Sequence, residues 1–68
     1  MPYKSDEVLR KLKRAGFEEK RRAGSHIILR QSDGRQTYLA MHPGDVPSGT
    51  FRSILKQAGL NEEAFKLL

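Results

Sequence analysis

His26 and His42 are the two histidines of this chain, which has no cysteine. The lack of cysteine excludes thiolate catalysis and zinc bound by cysteine. His26 follows Gly24 and Ser25, and such small residues allow a phosphate to approach closely. Because an imidazole takes up or releases a proton near neutral pH, this setting predicts acid–base work on a phosphodiester at His26. A surface histidine without a catalytic role is the alternative interpretation.

RNA is the phosphodiester that needs the least catalytic equipment, because its own 2′-hydroxyl is the nucleophile. One histidine acting on that hydroxyl or on the leaving oxygen, with Arg or Lys stabilising the added phosphate charge, would suffice. Adjacent carboxylates such as Glu18 and Glu19 point in different directions along a regular element, so they form no ready metal site. Zinc at His26 and His42 would lack two further ligands. We therefore predict no metal and no cofactor.

The charge of the chain indicates a polyanionic partner. Thirteen Lys and Arg oppose eight Asp and Glu, which gives a net charge of +5 and an isoelectric point near 10.0. Ten of the bases and five of the acids lie in residues 1–35, so the whole positive excess comes from the first half. Nucleic acid is the commonest polyanion, and we expect one basic face to bind it.

The basic residues that are candidates for phosphate contact fall in three places. The three successive bases of residues 20–22 repel one another, so the cluster favours binding of an anion. Arg30 shares a strand face with His26, while Arg52 and Lys56 lie one turn apart near the start of a helix, where the dipole favours phosphate. A solvated charged surface is the alternative in each place. The phosphate contacts predicted from charge are Arg21, Arg22, Arg30, Arg52 and Lys56.

An amphipathic helix is predicted from Ser5 to Ala15, where the apolar residues recur at helical spacing. Ser5 suits the N-cap and Gly16 the left-handed stop. On the exposed side, Glu7 and Lys11 are spaced as a favourable i, i+4 pair.

Three extended segments follow, at residues 17–22, 25–31 and 35–41, with a hairpin turn at residues 32–34. The first is so heavily charged that we expect an edge strand. Tyr38 in the third segment could stack on a base or be an ordinary strand aromatic.

A second amphipathic helix begins near Gly49, with Ser48 or Thr50 as its N-cap and Gly59 as its stop. Asn61 can cap a last short helix. The fold class is therefore α+β, a two-layer α-β-β-β-α domain with a short C-terminal helix.

Both long helices should cover one face of the sheet, because a three-stranded sheet cannot bury its apolar side alone. Strand alternation assigns Ile27 and Leu29 to the core, and His26, Ile28 and Arg30 to the opposite face.

At 68 residues the chain is expected to be one domain, residues 1–68, because a single core needs most of such a chain to cover it. No apolar run approaches the roughly 18 residues of a membrane span, and the first residues do not resemble a signal peptide. We therefore expect a cytoplasmic protein without membrane association.

Two motifs in this order resemble the HicA toxins of bacterial and archaeal toxin–antitoxin pairs. One is Gly24-Ser25-His26 before Ile27-Ile28-Leu29, and the other is the segment from Gly49 to Leu60 with Glu63 and Phe65 after it. The resemblance covers roughly residues 5–65. It implies a fold like the double-stranded RNA-binding domain and a metal-independent ribonuclease that cleaves messenger RNA.

The resemblance also assigns roles to single residues. His26 matches the catalytic histidine, Gly24 and Ser25 match its companions, and Arg21 matches a basic position commonly found before them. His42 lies where many members have a second histidine. A HicB-like antitoxin is the implied partner, and it would cover the active site.

The leading hypothesis is therefore the toxin of a type II toxin–antitoxin system, an endoribonuclease that acts on mRNA with His26 as general acid or base. We expect the free protein to be a monomer. A non-catalytic RNA-binding module of the same fold is the alternative, and a basic subunit that docks an acidic partner protein is a weaker one.

Overall fold

The computed structural model describes residues 3–68 and confirms the predicted α-β-β-β-α order. The elements are α1 (Ser5–Arg14), β1 (Glu18–Ala23), β2 (His26–Arg30), β3 (Gln36–Ala40), α2 (Ser48–Ala58) and α3 (Glu62–Lys66). None of the helices in this part of the chain is long and apolar enough to cross a membrane.

The three strands form one antiparallel sheet in the order β1-β2-β3. The first strand is the predicted edge strand, and all six of its residues are exposed or half-buried. Its register with β2 shifts between Glu19 and Arg21, so a bulge interrupts the ladder there. His26 opens β2 in the centre of the sheet, between Ala23 of β1 and Ala40 of β3.

The core lies between one face of the sheet and the helices, as predicted. Ile27 and Leu29 are fully buried in it, whereas His26 and Arg30 are exposed on the opposite face, here called the outer face. This division follows from the period of two along a strand. The buried apolar residues are Val8, Leu12, Phe17, Ile27, Leu29, Leu39, Phe51, Ile54, Leu55, Ala58 and Phe65.

The prediction that Ser5 caps α1 is wrong. Lys4 occupies the N-cap position, and Ser5 is the first helical residue and is buried. Its hydroxyl instead donates a hydrogen bond of 3.1 Å to the backbone carbonyl of His42. Ser5 therefore fastens the loop after β3 to the start of α1.

The predicted caps of α2 are also wrong, but the predicted helix stops are confirmed. Within the described chain no side chain caps α2, whose N-cap is Pro47, and Ser48 already belongs to the helix. Gly59 ends α2 in the left-handed region at a φ of 70°, which a glycine adopts without strain. Asn61 caps α3 as predicted, since its side-chain oxygen accepts a backbone N–H at 2.7 Å.

Lys11 does not pair with Glu7 as its spacing predicts. Its ammonium group donates hydrogen bonds to the carbonyl oxygens of Phe65, Lys66 and Leu68 at 3.4, 3.3 and 2.9 Å. A cation at these carbonyls also opposes the negative end of the α3 dipole. Lys11 thus joins α1 to the last helix.

Replacing Lys11 with Met should lower the free energy of unfolding by about 1–2 kcal/mol, because Met keeps the apolar stem and removes a charged donor. Chemical denaturation measures this change, with Arg10→Met as the control because Arg10 is exposed on the same helix. Equal stabilities of the two variants would contradict the role given to Lys11.

Candidate functional site

His26 is exposed at the start of β2, directly after the turn that contains Gly24 and Ser25. Gly24 has a φ of 60°, which explains why glycine stands there. Apart from Gly24 and its two chain neighbours, no heavy atom of residues 3–68 lies within 4 Å of where a Cβ of Gly24 would be, so the space beside this turn is open to a ligand. The carbonyl of Ser25 accepts the Met41 N–H at 2.7 Å, which ties the turn to the end of β3.

A shallow depression of about 250 Å³ on the outer face brings His26 and Arg21 together. Ala23, Ile28 and Tyr38 complete its lining. Arg21 reaches it because the register places Arg21 opposite Ile28, on the same face as His26. Tyr38 is 55% exposed, so most of its ring is available for stacking.

His42 lies beside His26, which the sequence alone did not predict. The two ring centroids are 6.4 Å apart and the ring planes meet at 87°. His42 follows β3 by two residues and is exposed, and its backbone is the one held by Ser5. The two imidazoles of the chain therefore share one end of the sheet.

The basic cluster of residues 20–22 is largely neutralised by the two glutamates that precede it. Lys20 binds Glu18 at 2.9 Å, and Arg22 binds Glu19 through Nε at 2.9 Å and Nη2 at 3.3 Å. The mutual repulsion expected from three successive bases is thus relieved within the strand. Arg21 is the member of this cluster that forms no ion pair among residues 3–68.

These ion pairs shift ionisation in the expected directions. The hydrogen bond from Arg22 lowers the pKa of Glu19 and raises the pKa of Arg22 itself, while Lys20 lowers the pKa of Glu18. A carboxylate with a lowered pKa stabilises the fold above its ordinary pKa, and this contribution is lost as the pH falls through the lowered value. The pairs lie at the surface, so salt screens them.

The remaining predicted RNA contacts lie away from His26. Arg30 is on the outer face, four residues along β2 and thus roughly 13 Å distant. Its Nε donates to Gln36, whose amide donates in turn to the Tyr38 hydroxyl, each at 2.8 Å. This chain of hydrogen bonds orients Tyr38 beside the depression.

Arg52 and Lys56 are exposed on α2, which packs against the other face of the sheet. The expectation that both lie near the start of the helix is wrong for Lys56, which is in the last turn. Of the two, only Arg52 lies near the positive end of the helix dipole. Neither residue is brought together with His26.

Within residues 3–68 no group of three or more His, Asp or Glu side chains lies close enough to hold a metal ion. The carboxylate nearest to His42 in sequence is Asp45, which is bound to Lys4 at 2.8 Å. The site that the structure describes is therefore a pair of imidazoles with one arginine beside them.

The element order and the antiparallel sheet with both long helices on one face define a domain with a fold like the double-stranded RNA-binding domain. The family model described as the HicA toxin of bacterial toxin–antitoxin systems matches residues 5–60, and the chain belongs to this family. Its partner is accordingly an antitoxin. No curated protein matches the chain.

His26 and Arg21 are both candidates from the sequence and the structure brings them together, whereas two other features of this surface were not predicted. The first is that His42 lies close to His26. This depends on how the loop after β3 folds back, which no local sequence pattern predicts. The pairing of Glu18 and Glu19 with the following bases had a signal, since two acids directly precede three bases in one strand. Because side chains alternate along a strand, an acid and a base of this segment can lie on the same face of β1 and pair.

Proposed function

We propose that this toxin is a metal-independent endoribonuclease that cleaves mRNA in the cytoplasm. The observation that carries the proposal is the exposed imidazole of His26, which lies with Arg21 in a depression open to solvent. An exposed imidazole and an arginine without an ion pair supply the two groups that 2′-hydroxyl attack requires, an acid–base group and a positive charge.

In the proposed reaction the RNA backbone crosses the outer face, with a ribose over His26. His26 takes the proton of the 2′-hydroxyl or gives one to the leaving 5′-oxygen. Arg21 stabilises the charge that builds on the phosphate in the transition state. Gly24 and Ser25 leave the approach to His26 open, and Tyr38 offers its ring to a base.

Binding would begin with the cations of the outer face, Arg21 and Arg30. Arg22 lies opposite Ile27, on the helix-facing side of β1, and is bound to Glu19, so it would contact RNA only where the strand passes around the edge of the sheet. Arg52 and Lys56 would contact RNA only if the strand continues around the domain to α2. A HicB-like antitoxin that covers the outer face would block the site. We expect the free toxin to be a monomer.

Replacing Glu19 with Gln should strengthen RNA binding around the edge of β1, because it frees Arg22 and Lys13, which lie within ion-pair distance of Glu19 on the helix-facing side of that strand. Each freed cation that contacts a phosphate adds about 0.7 to the slope of log affinity against log salt concentration. Fluorescence anisotropy with a labelled RNA at several salt concentrations measures both effects. Glu62→Gln, which makes the same charge change on α3, is the control. The same affinity and slope for both variants would place the RNA away from the helix-facing edge of β1.

The proposal is tested with a labelled RNA and with the same strand carrying 2′-deoxyribose throughout, both in the presence of a chelator. We expect the RNA to be cut into fragments that end in a 2′,3′-cyclic phosphate, and the deoxy strand to remain whole. Cleavage of the deoxy strand, or cleavage that the chelator stops, would contradict 2′-hydroxyl attack without a metal.

The second candidate is an RNA-binding module without catalysis, which the fold and the exposed Tyr38 favour. Such a module would recognise RNA by shape and phosphate contacts. In the same assay it would bind RNA in a salt-dependent way and leave its length unchanged between pH 6 and pH 8.

A further inference from the structure

The backbone of His42, whose imidazole lies beside His26, is held by two contacts. The loop after β3 is held at one point by the Ser5 hydroxyl, which binds the His42 carbonyl at 3.1 Å. One residue earlier, the Met41 N–H binds the Ser25 carbonyl at 2.7 Å. Both anchors hold the backbone and leave the His42 ring exposed. The fold thus sets where the two side chains leave the backbone, and their ring centroids lie 6.4 Å apart.

In residues 3–68 neither ring forms a hydrogen bond or an ion pair with another side chain, and the two rings lie edge to face with each other. In this part of the chain the His42 carbonyl accepts a hydrogen bond, but neither imidazole takes part in a hydrogen bond or an ion pair. Of the charged groups nearby, one is bound in an ion pair and another lies beside His26. Asp45 is bound to Lys4 at 2.8 Å, and Arg21 lines the depression on the side of His26. The two rings therefore remain available to a ligand.

The separation suits two groups that act on one phosphodiester from different sides. A direct hydrogen bond would bring two rings closer than 6.4 Å between centroids, whereas two rings that each bind a different oxygen of one phosphate, at about 2.8 Å, must stand apart. Such a pair can assist both attack by a 2′-oxygen and departure of a 5′-oxygen, because one oxygen loses a proton as the other gains one.

We propose that His42 is a second catalytic residue, the general acid that protonates the leaving 5′-oxygen while His26 is the general base. This inference rests on the proposed ribonuclease function. The assignment of roles follows from the depression, which His26 lines and His42 does not. A nucleotide seated there presents its 2′-hydroxyl to His26, and the next nucleotide leaves on the side of His42, which borders a separate small cavity with Ser5 and Thr50.

The step balances with one proton at each end. The 2′-hydroxyl proton moves to neutral His26, the 2′-oxygen forms a bond to phosphorus, and the bond from phosphorus to the 5′-oxygen breaks. The departing oxygen takes a proton from the His42 imidazolium. The products are a 2′,3′-cyclic phosphate and a 5′-hydroxyl, and exchange with water restores both histidines.

The test compares ordinary RNA with an RNA whose scissile 5′-oxygen is replaced by sulfur, since a thiolate leaves without being protonated. His42→Gln should cut ordinary RNA 10²- to 10⁴-fold more slowly than the unchanged chain and should cut the sulfur substrate within about tenfold of it. His26→Gln should be slow on both substrates. Thermal unfolding of each variant checks the fold, and His42→Asn is a second replacement of the same exposed side chain.

Three results would overturn this inference and leave the proposed function standing. The first is that both His42 variants cut ordinary RNA within twofold of the unchanged rate. The second is that His42→Gln lowers the cleavage rate equally on the two substrates. The third is that His26→Gln cuts the sulfur substrate at close to the unchanged rate. In contrast, an unchanged chain that cuts neither substrate, or a His26→Gln variant that cuts both at full rate, would remove the proposed function itself.

Discussion

Replacing His26 with Gln is expected to lower the rate of RNA cleavage 10²- to 10⁴-fold, the usual contribution of a general acid or base. Gln keeps a polar side chain of similar reach and cannot exchange a proton near neutral pH. His26 is exposed at a strand end, so its replacement should shift the free energy of unfolding by no more than about 0.5 kcal/mol. RNA affinity should stay within about threefold, because the phosphate contacts come from arginines.

The comparison needs a matched surface variant, and Ser32→Ala serves because Ser32 is exposed in the turn at the far end of β2. This control should cut RNA at the unchanged rate. In cells that lack the antitoxin, we expect the unchanged chain and the Ser32 variant to arrest growth and the His26 variant to permit it. Growth arrest by all three chains would show that toxicity does not depend on this imidazole.

Replacing Phe65 with Ala is expected to unfold the domain at room temperature. The Phe65 ring is fully buried and meets Tyr3 and Phe51 edge-on, with ring centroids 5.1 Å apart in each pair. Loss of a buried phenyl ring costs about 3–5 kcal/mol. A domain of this size has only about 3–5 kcal/mol of stability, so one such loss removes most of it.

Circular dichroism across a thermal scan measures this effect. Leu67→Ala is the control on the same short segment, because Leu67 is 87% exposed and its loss should change stability by less than about 0.5 kcal/mol. A cooperative transition of Phe65→Ala within a few degrees of the unchanged chain would show that α3 is dispensable. It would also mean that residues 5–60, which the family model matches, are enough to stabilise the fold.

The features predicted correctly from the sequence are those that local physical chemistry decides. Alternation along β2 settled which face carries His26, because Ile27 and Leu29 must be buried together. The positive φ of Gly59 and the cap at Asn61 follow from single residues whose conformational preferences are strong.

The features that were missed depend on contacts between distant segments. Ser5 is an acceptable N-cap by residue type, yet the loop that contains His42 takes its hydroxyl. Lys11 leaves its neighbour Glu7 for the carbonyls of a helix more than fifty residues away. The approach of His42 to His26 is of the same kind. Such contacts join segments that are far apart in the chain, so no local pattern predicts them.

The most direct test of the central claim is the cleavage rate of one labelled RNA by the His26→Ala chain, measured without and with added imidazole. His26 is exposed in an open depression, so a free imidazole can enter the space that its side chain vacates. We predict a loss of at least 10²-fold without imidazole and a recovery that grows with imidazole concentration. A His26→Ala chain that cuts RNA at the unchanged rate, with no response to imidazole, would contradict the account.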